Sequence, residues 1–124
     1  MSAIVSADHV IAVANGAVAL LSGVSSVAGV INPGLGLPKG APITAGVDFY
    51  ARAYAVRAVP LSAVALVMLA AGGSAGLAAL LTVLGLAQVG DSVLGVMRRH
   101  LGMSVGAGVC ALVHLVSAWW IASH

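Results

Sequence analysis

The sequence predicts an all-α fold: an integral membrane four-helix bundle with short connectors, forming a single transmembrane domain over residues 1–124. Composition is the first support, since 61% of the residues are apolar and 6% are charged, against roughly 25% charged in ordinary soluble domains. A mean hydropathy of +1.15 also excludes a disordered chain, which stays unfolded through low hydrophobicity. The second support is periodic interruption. Apolar runs able to cross a bilayer recur four times, separated by breaks rich in glycine, proline or arginine.

The first span is expected over 8–31 and is stopped by Asn32, Pro33, Gly34, Gly36 and Pro38, because proline lacks a donor and glycine favours turns. Asp8 and His9 ahead of this run are unlike the basic lead of a signal peptide, so the segment reads as a retained span. Thr44 is placed to cap a second span over 45–71, which contains Asp48, Arg52, Arg57 and Pro60 and ends at Gly72 and Gly73. The third is expected over 74–97. Arg98, Arg99 and His100 then form a tight basic connector into the fourth, 101–122. Period-two alternation is weak, which disfavours a β-barrel.

The five basic residues are Lys39, Arg52, Arg57, Arg98 and Arg99, too scattered to track a phosphate backbone, so nucleic acid is not an expected partner. Lys39, Arg98 and Arg99 occupy two connectors on one side of the membrane. The positive-inside rule therefore puts both termini outside, in a multi-pass protein of the plasma (inner) membrane. Trp119 and Trp120 then lie at the outer interface, where indoles anchor. The small-residue pairs Ser22/Ser26, Gly72/Gly76 and Gly102/Gly106 have the spacing that lets helix backbones approach, and they could serve a homo-oligomer. Cys110 has no disulfide partner and reads as a small core residue. His9, His100 and His124 show no paired ligand spacing, so neither a metal nor another cofactor is expected.

The polar residues inside the spans carry the functional expectation. A charge in a span costs about +2.5 to +3.5 kcal/mol on insertion scales, so Arg52 and Arg57 should face protein or water. Counted at about 1.5 Å per residue from the basic side, Arg52 lies roughly 12 Å deep, Arg57 roughly 20 Å, Asp91 roughly 12 Å and Gln88 roughly 16 Å. His114 falls at roughly 20 Å, and Ser22 and Asn15 at roughly 14 and 24 Å. Tyr50, Tyr54 and Arg57 share one side of the second helix, with Asp48 and Arg52 on the other as an i, i+4 pair. Gln88, Asp91, Ser92 and Gly95 share a face of the third helix, and Asp8, Asn15, Ser22 and Ser26 share one of the first. These depths predict an Arg57–Asp91 pair. They also predict an inner-half cavity bordered by Tyr50, Tyr54, Arg57, Gln88, Asp91 and His114.

Gly36-Leu37-Pro38, the run YARAYAVR from Tyr50 to Arg57, Gly90-Asp91-Ser92, and His114 in the last span together resemble the small four-helix membrane proteins grouped as domain of unknown function 4267. The likeness covers most of the chain after about Ile31 and implies a four-span fold, with no activity attached.

Two classes of function fit these groups. In an acid–base enzyme acting on a lipophilic small molecule (isomerase, cyclase or epoxide-opening type), Asp91 accepts a proton, Arg57 stabilises developing negative charge, and His114 or Tyr54 donates a proton. Tyr50, Tyr54, Arg52, Gln88, Asn15 and Ser22 are the expected substrate contacts. In a proton-coupled transporter the same groups carry protons. The size is similar to that of small multidrug transporters, although those place a carboxylate mid-way along the first span, where this chain has Asn15. A third reading is an accessory subunit in which Arg57 and Asp91 only fix helix register.

Overall fold

A computed structural model describes residues 2–72 and 75–124. Among them, four long helices follow one another up and down: α1 (Ser2–Ile31), α2 (Ala45–Ala71), α3 (Leu77–Met97) and α4 (Leu101–Ser123). All four are long and apolar enough to cross a membrane. Helix α1 begins well before the expected Asp8. The expected start of the third span at Ser74 lies outside the described residues, and α3 itself opens at Leu77.

Each boundary has a local cause. A short 3-10 turn over Pro33–Gly36 breaks the chain after α1, with the Leu35 and Leu37 amides donating to the Asn32 and Gly34 carbonyls. Thr44 caps α2 as expected, its hydroxyl accepting from the Val47 amide at 3.3 Å. Gly72 (φ 68°) and Gly76 (φ 78°) both adopt the left-handed conformation that turns the chain between α2 and α3. The α3 end is a Schellman closure: the His100 amide donates to the Gly95 carbonyl and the Arg99 amide to that of Val96. Arg99 (φ 54°) occupies the left-handed position where glycine is usual. His100 then caps α4, its Nδ1 accepting from the Met103 amide at 3.0 Å.

The helices pack as two hairpins, α1 with α2 and α3 with α4, joined by thinner α1–α4 and α2–α3 seams. Glycine sets the closeness within each hairpin, but not at the four-residue pairs expected from sequence. A Cβ on Gly95 would lie 2.5 Å from the Ser104 nitrogen and 2.8 Å from its Cα, so the α3 and α4 backbones are nearly in contact there. Gly85 faces Leu115, and Gly23 of α1 faces Ser62 of α2. Gly72 and Gly76 are turn residues, Gly102 meets only its own His100, and Gly106 meets nothing within 4 Å. The apolar core is small and centred on Leu77, Leu81 and Ala118. Much of the remaining apolar surface points outward, the arrangement expected where lipid replaces water.

Candidate functional site

Polar side chains join the two hairpins at three depths. Farthest from the basic connectors, Asn15 of α1 is fully buried beside His114 (2% exposed) and Ser117 of α4. The Asn15 Nδ2 group donates to Ser117 Oγ at 2.7 Å and to the Ile11 carbonyl at 2.8 Å, which fixes its Oδ1 as the acceptor for His114 Nδ1 at 2.8 Å. His114 therefore carries its proton on Nδ1. Counting from Ile31 and Leu101, this trio lies about 20 to 24 Å from the basic end.

One level nearer that end, Gln88 Nε2 of α3 donates to Ser22 Oγ of α1 at 3.1 Å, across the bundle diagonal. Both residues stand about 14 Å from the basic ends of their helices. Nearer still, Tyr54 of α2 donates its hydroxyl to Asp91 Oδ2 of α3 at 3.4 Å. That is long for an O–H···O bond, whose usual range is about 2.5–3.0 Å, so the carboxylate is only lightly engaged. Tyr54 is 45% exposed and Asp91 partly so, at the thin α2–α3 seam.

The expected Arg57–Asp91 pair does not form, and the ion pair present among the described residues is Arg52 Nε to Asp48 Oδ2 at 2.9 Å. Measured from the Gly72 turn, Arg57 and Asp91 each stand about 21 Å along their helices, a closer match than the roughly 20 and 12 Å counted from the basic side. The face was wrong. Tyr54, one turn before Arg57, takes the position toward α3, and Arg57 is exposed. Helical side chains lean toward the helix N-terminus, which for Arg57 is the basic end, so its guanidinium can snorkel that way.

Tyr50 is likewise exposed and packs edge-on against Phe49. The shared α3 face does turn inward: Ser92 Oγ donates to the Ser104 carbonyl at 2.7 Å, beside Gly95. Ser117 went unnoticed in the sequence, although it follows His114 by one helical turn on the same face. Cys110 is buried, as expected.

Two cavities lie away from the expected inner-half site. One cavity, of about 510 Å³, lies at the far end among Asp8, His9, Leu77, Trp120 and His124. Another, of about 450 Å³, is an apolar groove along α1 and α2 between Gly23 and Ser62. Neither is lined by Tyr50, Tyr54, Arg57, Gln88, Asp91 or His114. The Asn15–His114–Ser117, Gln88–Ser22 and Tyr54–Asp91 groups are separate sets of bonds across helices. His114 bonds Asn15 and makes no hydrogen bond to Asp91 or Tyr54.

Comparison with family models, with curated proteins and with solved structures finds no match for this chain.

Proposed function

We propose that this chain is a membrane-embedded acid–base protein acting on a mostly apolar small molecule that bears one oxygen function and enters sideways from the bilayer. The observation that supports this reading is the lightly bonded, partly exposed Tyr54–Asp91 pair at the α2–α3 seam, with exposed Arg57 one turn away. Asp91 takes a proton from a carbon next to the substrate's oxygen function. Tyr54 and Arg57 stabilise the negative charge that develops on that oxygen, and the proton returns at a different carbon, so nothing is consumed. His114, Asn15 and Ser22 lie in the contacts that join the hairpins. They serve this reading by holding the seam in place.

The test uses proteoliposomes incubated with a lipid extract of the host and read by mass spectrometry. A product of unchanged mass and altered retention is expected with the wild type. Its rate should fall about 100-fold or more in Asp91→Asn, because the amide keeps the shape and loses the base. Passage of an unaltered molecule across the bilayer, driven by a proton gradient, would replace this reading with transport. Neither chemistry nor flux, together with an intact cellular phenotype after joint replacement of Arg57 and Asp91 by Leu, would leave the accessory-subunit role.

The same proposal places the protein in the plasma membrane with Lys39, Arg98 and Arg99 inside and both termini outside, on the strength of connector charge. Single cysteines at Ser2 and Lys39 in a Cys110→Ala background check it in intact cells. An impermeant thiol reagent should reach position 2 only, and labelling at position 39 alone would invert the orientation. Association of copies through small-residue faces belongs to the same reading, with Gly106 as the open helical glycine of α4.

A further inference from the structure

The cavity at the end opposite the basic connectors has a chemistry of its own. Its volume of about 510 Å³ falls within the roughly 300–1,000 Å³ of small-molecule sites. Its apolar wall comes from Ile11, Leu77 and Ile121, and its polar rim from Asp8, His9, Trp120 and His124. Asp8 makes no hydrogen bond or ion pair with another described residue. The His124 ring stacks on Trp120 with centroids 3.9 Å apart, and its Nδ1 lies 3.1 Å from the Trp120 carbonyl. A carbonyl only accepts, so Nδ1 holds the proton and Nε2 is left as an acceptor. The rim thus offers a carboxylate, two imidazoles and an indole. Lys39, Arg98 and Arg99 are at the far end of the bundle, and neither Arg52 nor Arg57 lines the cavity.

We infer that this cavity is a binding site for an amphiphile with a monovalent organic ammonium head, the head lying against Asp8 and the Trp120 ring and the apolar body against Ile11, Leu77 and Ile121. Two parts of the rim favour that sign of charge. A carboxylate with no partner among the described residues attracts a cation, and the indole face turned away from His124 does so through its ring quadrupole. An anion would meet Asp8 with no guanidinium or lysine ammonium lining the cavity among the described residues. A metal ion fits less well, because among the described residues no three His, Cys, Asp or Glu side chains are grouped to hold one. The position also suits an amphiphile, since the indole pair and the ends of α1 and α4 mark the boundary between apolar span and water. The site is separate from the Tyr54–Asp91 seam, so either can hold without the other.

The experiment titrates the Trp119→Phe variant in phosphatidylcholine nanodiscs, so that emission reports Trp120, and subtracts empty discs. The probes are benzyltrimethylammonium and phenylmethanesulfonate, which share an aromatic body and differ in sign. Saturable quenching by the ammonium compound is expected, with the sulfonate at least tenfold weaker. Asp8→Asn should weaken ammonium binding about tenfold, while Asp48→Asn at the opposite end leaves it unchanged. Equal binding of both probes, quenching no different from empty discs, or unchanged ammonium affinity in a folded Asp8→Asn protein would each overturn the assignment. The comparison of probes on the unaltered rim decides the matter even where Asp8→Asn fails to fold.

Discussion

Gly95→Ala should lower the stability of the bundle by about 3 kcal/mol, the upper part of the range for overpacking a tight contact. The added methyl would stand 2.5 Å from the Ser104 nitrogen and 2.8 Å from its Cα, and the atoms it meets are backbone. Backbone at this point has little room to withdraw. The Gly95 carbonyl accepts from the His100 amide, and the Ser104 amide donates to the His100 carbonyl, so both contacting segments are tied to the same three-residue connector. Separating them would also strain the bond from Ser92 Oγ to the Ser104 carbonyl. Two other glycines calibrate the effect. Gly85→Ala meets Leu115 Cγ and Cδ2 at 2.6 Å and His114 Cβ at 3.3 Å, side-chain atoms rather than backbone, and should cost about 2 kcal/mol. Gly106→Ala meets nothing within 4 Å and should stay within about 0.5 kcal/mol of the wild type. Denaturant unfolding of the three variants in bicelles gives the order directly. A Gly95→Ala protein as stable as Gly106→Ala would mean that the α3–α4 contact is looser than described.

Why the helix face of Gly95 was legible in the sequence but its contact with α4 was not, while Thr44 and Gly72 were read in full, is a matter of range. A helix cap and a left-handed turn depend on a few neighbouring residues, so Thr44 and Gly72 could be read where they stand. The role of Gly95 depends on which residue of α4 faces it, and that register follows from the Schellman closure at Arg98–His100. A four-residue spacing within one helix carries no information about the partner helix, which is why Gly102/Gly106 looked like an interface and is not one within the chain. The polar residues divide in the same way. Helical rise counted from the basic side brought Arg57 and Asp91 only to within about 8 Å of each other in depth, and helical periodicity gave the inward faces of α1 and α3. The neighbours across each seam, Tyr54 for Asp91 and Asn15 for His114, depend on helix rotation and on the order of helices around the bundle, which no single span encodes.

That division of labour gives the second large effect. Within each hairpin, small residues bring backbones together. Between hairpins the seams are thin, and the side-chain hydrogen bonds that cross them come from Asn15, Gln88 and Tyr54. Asn15 has the most to lose, since it holds both His114 and Ser117 from α1 and is fully buried. Interhelical hydrogen bonds in membranes average about 0.6 kcal/mol and reach about 1.7, so two of them set a loss of about 1–3 kcal/mol for Asn15→Leu. The upper part of that range is expected, because the leucine also strands the His114 Nδ1–H in a buried site. His114→Leu should cost less, as Asn15 keeps Ser117 and the Ile11 carbonyl. The double variant should then be more stable than the summed single losses imply, by about 1 kcal/mol, since the stranded imidazole is gone. A double-mutant cycle in bicelles measures this coupling. Strictly additive losses, or an Asn15→Leu protein as stable as wild type, would show that the α1–α4 seam closes without this network, and the Gln88–Ser22 bond would become the main tie between the hairpins.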